Sequence, residues 1–388
     1  MLKDRIYLIH SGSTIESLYT LFPLIVSQFN HLLVYVHIDS KEASMVSGKC
    51  AILIRVFKGN KLYTTNDQKK RDLIRDFRKR FDRIIILDDG AGSDSLHFEY
   101  IDLVDLYFKG KLLRDRLNYL RPMYGRQLFT DYYHQRFNII DDNEKIRAVP
   151  DNPDVLKKLR ISWNLGYGIY PIPGRTLVRL AKTATKLGFS KSLRPWFIYC
   201  YKQMIETLNK PVDITTKINK VQARFGESVL PETIGFQRKL FLKKCINSEA
   251  VLSGSVKSKL YNNEIKLVAS VLSPFGWGEV CFRDFETIMN GGLLIKPDMN
   301  HLETWPDIYV KSKTYVPVDW DGDNLTDVID SVSDRIADYR GIVEAGRTEY
   351  RKALLGLDSR VFHFLSEAVG ANAIVVESDD FYSEQAIR

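Results

Sequence analysis

The N-terminal part of the chain alternates short apolar runs with amphipathic segments, and this alternation restricts the possible fold more than any other feature. Strand, helix and strand in repetition are typical of a doubly wound parallel sheet. Apolar residues between the first two runs recur at helical spacing. The runs that predict buried parallel strands are RIYLIH (5–10), HLLVYVHID (31–39), AILIRVF (51–57) and IIIL (84–87). The sequence therefore predicts an α/β fold.

The segment TTNDQKKRDLIRDFRKRFDR (64–83) is predicted to be a helix that precedes the last of these runs. Leu73, Ile74, Phe77 and Phe81 fall on one face, and its eight lysines and arginines lie largely on the other. This pattern is typical of an amphipathic helix, here one that leads into the run IIIL (84–87).

A chain of 388 residues is too long for one ordinary core and suggests two domains. We predict an N-terminal Rossmann-like domain with a helical extension over 1–209. A second Rossmann-like domain is expected over 210–345, opening with a strand in KPVDITTKIN (210–219). Helices and a polar tail are expected over 346–388.

The net charge of +8 suggests an anionic partner. No nucleic-acid motif is found and the basic residues are spread along the chain, so we expect no nucleic-acid partner. The basic helices of 175–208, with Trp196 and Phe197, suit contact with an anionic membrane surface, although a solvated helix face looks the same. Four scattered cysteines and the lack of a signal peptide predict a cytoplasmic protein, peripheral to the inner face of the plasma membrane if the helices bind lipid.

The stretch SPFGWGEVCFRDFETIMNGGLLIKPDM (273–299) carries the strongest functional pattern. Ser273, Gly276 and Gly278 form a turn whose glycines allow backbone amides to approach a phosphate closely. The helix predicted to follow, over 279–290, would point its positive N-terminus at that anion. Ligands of open parallel sheets bind at such a strand-to-helix junction. The turn is therefore a candidate donor-binding loop.

The predicted helix also carries charged residues suited to a nucleotide-sugar. Glu286, about two turns in, can accept hydrogen bonds from a ribose or sugar diol. Arg283 can reach a phosphate, or it can pair with Glu279 four residues earlier. The plain alternative is a buried turn and a helix salt bridge with no ligand.

A glycine-rich turn, a helix with a late glutamate and a buried strand together resemble the donor-binding segment of GT-B glycosyltransferases. The string GWGEVCFRDFE…GGLLIKPDMNHLETWPD is similar to bacterial polysaccharide-type members of that group, over about residues 224–345. In the family, a glutamate directly precedes the A-x-x-x-G end of this helix. Glu286, in E-T-I-M-N-G, matches that position. The family often has another glutamate eight residues earlier, whereas Gly278 stands there and Glu279 follows.

The resemblance implies a GT-B-like fold of two Rossmann-like domains facing a cleft, with a nucleotide-sugar donor bound to the second domain. Arg224 and Arg238, at the start of that domain, are candidates for binding the donor diphosphate. His301, in MNHLETWPD (299–307), is a candidate catalytic residue that would hold a donor phosphate or a sugar hydroxyl. A surface histidine is the alternative.

ILDDGAGSDS (86–95) places two acids and a glycine at the end of a buried strand. It resembles the acid-acid-glycine motif of bacterial sialyltransferase-like enzymes, in which an acid is the catalytic base toward the acceptor hydroxyl. Asp89 or Asp88 would have that role, and a simple turn is the alternative. The histidine-proline motif of those enzymes is not found, which argues against a CMP-sugar donor. His10 and Ser11, followed by Gly12 and Ser13, form a candidate acceptor-side loop.

We therefore predict a glycosyltransferase that acts on a bacterial surface polysaccharide or lipid-linked glycan. No cofactor or metal is expected, because no DxD is flanked by strands and the acidic stretch 319–323 looks like a loop. The competing class is a non-catalytic nucleotide- or glycan-binding module of a glycan-assembly complex. An NAD-dependent enzyme is a third possibility, but the first strand ends in HSGSTIES without G-x-G-x-x-G.

Overall fold

Two parallel β-sheets, built one after the other along the chain, form the framework of the molecule. Six strands make the first sheet and five make the second. This confirms the predicted α/β fold with two Rossmann-like units. The computed structural model describes residues 5–11, 14–57, 66–170, 176, 193–226 and 230–370.

The first sheet has the strand order β2-β1-β3-β4-β5-β7, and every neighbouring pair is parallel. Its strands, with the short β6 that pairs elsewhere, are β1 (Ile6–His10), β2 (Leu33–His37), β3 (Gly48–Ile54), β4 (Phe81–Asp88), β5 (Leu106–Lys109), β6 (Lys111–Leu113) and β7 (Leu159–Ile161). The apolar side chains of β3 and β4 are almost all buried, as expected for strands covered on both faces. The four predicted strands are confirmed, and β5 and β7 extend the sheet.

The second sheet is also parallel, with the order β13-β11-β10-β8-β9. Its strands, with the short β12 that pairs elsewhere, are β8 (Ile218–Ala223), β9 (Val251–Ser253), β10 (Val268–Leu272), β11 (Leu293–Pro297), β12 (Leu302–Thr304) and β13 (Val316–Val318). The strand predicted at 210–219 was wrong for most of its length. Asp213 accepts a hydrogen bond from the Thr215 N–H at 3.0 Å and starts a short 3₁₀ turn there, so the strand begins only at Ile218.

The helices pack against both sheets. They are α1 (Ile15–Val26), α2 (Lys41–Met45), α3 (Asp67–Arg78), α4 (Phe98–Ile101), α5 (Leu128–Phe137), α6 (Arg194–Asn209), α7 (Glu232–Cys245), α8 (Ser258–Leu267), α9 (Phe282–Met289), α10 (Leu325–Asp334), α11 (Arg340–Leu355) and α12 (Leu357–Val369). In α3, Ile74 and Phe77 are buried as predicted. Lys70 is also buried, because it pairs with Asp67 at 2.8 Å and with Glu99 at 2.7 Å.

The last helix returns to the first sheet. Arg83 on β4 donates from Nε to the Ala368 carbonyl at 2.7 Å, and the ring centroids of Phe108 and Phe364 lie 4.6 Å apart. α12 therefore covers part of the first sheet, although it follows the second sheet in the chain. The domain boundaries at residues 209 and 345 stay predictions.

The predicted lipid-contacting segment 175–208 falls only partly within the described residues. Residue 175 and residues 177–192 lie outside them, and the remainder is mainly α6. Among the described helices, none combines the length and apolar character needed to cross a bilayer. Membrane contact stays a prediction.

The two units are joined by a small antiparallel ribbon. β6 from the first half pairs with β12 from the second, with Leu113 opposite Leu302 and Lys111 opposite Thr304. The Thr304 hydroxyl donates to the Gly110 carbonyl at 2.7 Å. This ribbon anchors the residues just beyond β11 to the end of β5.

The loops that follow β4 and β10 also touch. A Cβ built on Gly278 would lie 1.8 Å from the Ala91 carbonyl oxygen, so the backbones of the two loops are in direct contact. Only glycine permits this approach. The contact brings the carboxyl ends of the middle strands of both sheets together.

Replacing Gly278 by alanine is expected to destabilise the protein, because one of the two loop backbones must move to admit the methyl group. We expect a loss of about 1–3 kcal/mol in the free energy of unfolding, measured by urea denaturation. Gly226→Ala is the matched control, since nothing lies within 4 Å of a Cβ at that position. Equal losses in the two variants would contradict the contact.

Candidate functional site

The turn between β10 and α9 is held by a buried carboxylate. Asp284 accepts hydrogen bonds from the Ser273 hydroxyl at 2.6 Å and from the Cys281 N–H at 3.0 Å. The second bond caps the helix and makes Phe282 its first residue. The helix predicted from Glu279 therefore starts three residues later, and Glu286 lies about one turn in rather than two.

Asp284 also forms a fully buried ion pair. Its carboxylate lies 3.0 Å from Lys296 Nζ and accepts from the Tyr309 hydroxyl at 2.7 Å. The sequence reasoning did not identify these three residues as a group. The available signal was an acid three residues into a helix and a lysine inside an apolar strand, each of which is common by itself. This pair fixes the turn in relation to β11.

Glu279 lies in the turn before α9 and does not form the predicted helix pair with Arg283. Its carboxylate accepts from the Ser93 hydroxyl at 2.5 Å and from the Ser93 N–H at 3.2 Å, and it is fully buried. His301 Nε2 lies 3.8 Å away, at ion-pair distance. Burial alone would raise the pKa of Glu279, but His301 and the Ser93 hydroxyl outweigh burial and lower it. Glu279 thus bridges the two units.

Glu286 and Arg283 lie in a polar cluster at the carboxyl edge of the second sheet, with Arg224, Tyr261 and Glu264. Glu286 accepts from the Tyr261 hydroxyl at 2.8 Å, and Arg283 Nη2 donates to the Arg224 carbonyl at 3.1 Å. Burial raises the pKa of Glu286, while Tyr261 and Arg283 oppose the rise. The structure therefore brings together three of the predicted donor-binding residues.

Tyr261 and Glu264 were missed by the sequence reasoning. They lie three residues apart on α8, hence on one face of that helix. Glu264 receives two hydrogen bonds from Arg224, from Nε at 3.0 Å and from Nη2 at 2.9 Å. Because of this fork, the Arg224 guanidinium is directed toward α8.

Arg238 reaches the glycine-rich turn from α7. It donates from Nε to the Phe275 carbonyl at 2.7 Å and from Nη1 to the Gly226 carbonyl at 2.9 Å. A Cβ on Gly276 would come within 2.4 Å of Arg238 Nη2, so the glycine makes room for the guanidinium. The turn residues Ser273, Gly276 and Gly278 are thus fixed by Asp284, by Arg238 and by the first unit, respectively.

The two acids at the end of β4, Asp88 and Asp89, are held separately. Asp88 accepts from Lys109 Nζ at 2.5 Å, from the Tyr107 hydroxyl at 2.8 Å and from the Gly90 N–H at 2.8 Å. Asp89 receives a hydrogen bond from Arg55 Nη1 at 2.7 Å. Both acids line a small cavity of about 50 Å³ together with Arg55, His97 and Tyr100.

His10 and Ser11 lie at the end of β1, close to this cavity. The Ser11 hydroxyl donates to the Arg55 carbonyl at 2.5 Å. His10 is buried, and its ring meets that of His37 edge to face at a centroid distance of 5.7 Å. Burial, and secondarily His37, lowers the pKa of His10 to about 3. Gly12 and Ser13, which complete the predicted loop, lie outside the described residues.

His301 lines a second, acidic cleft of about 400 Å³, whose other lining residues are Tyr132, Asp298, Asp319, Trp320, Asp321 and Asp323. Its ring lies edge to face against Trp320 at 4.9 Å. Asp321 accepts from the Tyr132 hydroxyl at 3.0 Å and pairs with Arg136 at 2.8 Å. Across the described ranges, no three His, Cys, Asp or Glu side chains are grouped so as to hold a metal ion.

A larger cleft of about 680 Å³ lies between the two units. It is lined by Gly90, Ala91, Gly92, Ser95, His97, Gly125, Arg126, Gln127, Asp141, Asp142, Asn143, Lys145, Leu230, Pro231, Glu232, Ile234 and Trp277. Its volume is in the range of small-molecule binding sites, roughly 300–1,000 Å³. The loop after β4 forms part of its wall, so the cleft adjoins the acid pair.

Lys111 is a further buried cation at the junction. It is 5 % exposed, and no hydrogen bond or ion pair engages its Nζ within the part of the chain that the structure describes. Burial, and then the neighbouring Lys109, lowers the pKa of Lys111 to about 8, and the charges of Glu279 and Asp88 oppose this shift. Sequence reasoning did not single out Lys111, since a lysine in a short polar segment is usually solvated.

No protein-family model matches the chain, and no curated protein matches it. Solved structures align with it at 9 % identity. Alr3699/HepE from Anabaena, solved with UDP and with UDP-glucose, aligns over 94 % of this chain and 100 % of its own, with a TM-score of 0.42. A glycosyltransferase from Rickettsia africae ESF-5 aligns over 95 % and 100 %, with a TM-score of 0.43. A likeness this distant says nothing about activity or ligand.

The buried His10 makes stability depend on pH. Because its pKa is lowered from 6.5 to about 3 on folding, the unfolded chain binds a proton that the folded protein does not. Stability should fall by about 1.4 kcal/mol per pH unit from this residue as the pH drops below 6.5. His10→Gln should remove that part of the slope in urea unfolding between pH 6.5 and about 4. An unchanged slope would contradict the assignment.

Proposed function

We propose that the protein is a glycosyltransferase that moves a sugar from a nucleotide-sugar to a hydroxyl of a glycan acceptor. The acceptor class we propose is a bacterial surface polysaccharide or a lipid-linked glycan. This finer proposal follows from the similarity of residues 224–345 to polysaccharide-type GT-B enzymes.

The observation that carries the proposal is the contact between the loops after β4 and β10. Gly278 touches Ala91, and Glu279 is hydrogen-bonded to Ser93. Ligands of open parallel sheets bind at the carboxyl ends of the strands. A donor at the second sheet and an acceptor at the first would therefore meet where these loops meet.

The donor side is proposed to be the polar cluster around Glu286. A carboxylate there can take hydrogen bonds from a ribose or sugar diol in exchange for the one from Tyr261. Arg238, at the glycine-rich turn, and Arg283, at the start of α9, can offset the charge that develops on the leaving phosphate. His301 is a further candidate for that role from the other side of the turn.

The acceptor side is proposed to be the acid pair at the end of β4, Asp88 and Asp89. In an inverting transfer, the acceptor oxygen attacks the anomeric carbon, the bond to the nucleotide phosphate breaks, and the acceptor proton goes to a carboxylate. Asp89 is our candidate for this base, because Asp88 is held by Lys109, Tyr107 and Gly90. The Arg55 partner of Asp89 would have to yield to the acceptor hydroxyl.

A non-catalytic binding module is the competing function, and one observation favours it. Each acid of the pair has a cationic partner within 2.7 Å, as in a structural ion pair. Turnover, rather than binding, separates the two functions.

The proposal predicts that one nucleotide-sugar among UDP-, GDP-, CMP- and dTDP-linked sugars raises the melting temperature of the full chain. Glu286→Gln should weaken this donor by about 10- to 100-fold, because a hydrogen bond to a charged group is lost. Glu344→Gln is the control, since Glu344 is exposed on α11, outside the cluster. Thermal shift as a function of donor concentration gives both affinities.

The variant Asp89→Asn tests whether the protein is an enzyme or a non-catalytic binding module. In an enzyme, the variant should bind the donor as the wild type does and release nucleotide about 10²- to 10⁴-fold more slowly. Donor binding without turnover in the wild type would support the module. Silence across the panel at millimolar concentrations would contradict the transferase and leave a glycan-binding module.

A further inference from the structure

Trp277 is the feature of the interdomain cleft that the proposed chemistry leaves unused. The residue is 57 % exposed, although Gly276 and Gly278 on either side of it in the β10–α9 turn are buried. Its indole stacks on no other aromatic ring of the described residues. An exposed tryptophan inside a concave cleft loses apolar contact unless a ligand covers it.

The backbone of Trp277 is held from the first unit. Gln127 Nε2 donates to the Trp277 carbonyl at 3.0 Å, and the Gly276 N–H donates to the Gly278 carbonyl at 3.0 Å. These two bonds and the contact of Gly278 with Ala91 fix the residue on both sides. The indole is therefore presented on a rigid turn and not on a free loop.

The cleft wall facing this turn is built for polar contacts. Gln127 is 4 % exposed, and its Oε1 has no hydrogen-bond partner among the residues that the structure describes. Gly90 and Gly92 add backbone without side chains. A Cβ on Gly92 would come within 2.7 Å of the Gln127 amide, so a larger residue would displace it.

Arg126 adds an exposed guanidinium to the same wall. Its φ of 75° is in the left-handed region that non-glycine residues rarely adopt, and it follows Gly125 with a φ of 65°. Gly125 donates to the Lys145 carbonyl at 2.7 Å, which ties the turn to the neighbouring lysine. Unusual backbone of this kind is common where a ligand is held.

We propose that the cleft binds a saccharide of the acceptor, with the apolar face of one sugar ring on the Trp277 indole and its hydroxyls toward Gln127 and Arg126. A pyranose ring combines a face of C–H groups with an edge of hydroxyls, which matches an aromatic platform beside amide and guanidinium groups. That the saccharide is the acceptor rests on the proposed function. Gly90 lines the cleft and directly follows Asp89, the proposed base, in the chain. A nucleobase would also stack on an indole, but neither Glu286 nor Tyr261 of the proposed donor cluster lines this cleft.

The test uses the full chain labelled with 5-fluorotryptophan and observed by ¹⁹F NMR. The chain has five tryptophans, so five resonances are expected, and loss of one in Trp277→Phe assigns the residue of interest. Trp196→Phe assigns a control tryptophan that is 36 % exposed on α6. The probes are methyl glucoside, methyl galactoside and methyl glucuronide, each raised to about 50 mM because single sugars bind at millimolar strength, and UDP separately.

At least one glycoside is expected to shift the Trp277 resonance saturably while the Trp196 resonance stays in place. Arg126→Gly should weaken that glycoside without lowering the melting temperature, since glycine adopts this φ freely. The proposal is overturned if no glycoside moves the Trp277 resonance, if both tryptophans respond equally, or if UDP alone produces the shift. A glycoside shift together with silence in the nucleotide panel would support the saccharide site and reject the transferase.

Discussion

The contact between the loops after β4 and β10 determines where a site shared by the two sheets can lie. Glu279 is fully buried in it, and a buried carboxylate is costly unless it is hydrogen-bonded and paired. Ser93 supplies two hydrogen bonds, and His301 Nε2 lies 3.8 Å away. The opening of this junction would leave the Glu279 charge without these partners, so the contact holds the acid pair and the glycine-rich turn in a fixed relation.

Buried lysines lie around this junction. Lys109 balances Asp88 and Lys296 balances Asp284, whereas Lys111 has no such partner among the described residues. The charge of the buried Glu279 favours the protonated form of Lys111, so these two groups at the junction partly balance each other.

The sequence predicted the parts of the fold that depend on local pattern. Apolar runs identified β1 to β4, because strands covered on both faces are continuous stretches of buried side chains. The sequence did not predict β6 and β12, because each has three residues and pairs with a strand about 190 positions away in the chain. The start of α9 was misjudged because the Asp284 cap, and not the propensity of Glu279, decides it.

The candidate site likewise contains residues that the sequence predicted and residues that only the fold brings in. Glu286 and Arg283 were predicted from a motif within one segment, and Arg224 was predicted separately at the start of the second domain. The fold brings them together with Tyr261 and Glu264, which no motif pointed to. The tie between Glu279 and Ser93 could not be predicted, since it depends on how two sheets dock. Long-range pairing of charges is a property of the fold and leaves no local trace in a single sequence.

Hydrogen exchange on the full chain, with and without the nucleotide-sugar that stabilises it, tests most directly whether both loops contribute to one site. Slower exchange is predicted in residues 88–95 and 273–281 together, because the donor would lie where the two loops meet. Protection confined to one of the loops, or found only at the acidic cleft around Asp319, would contradict a shared site at this junction.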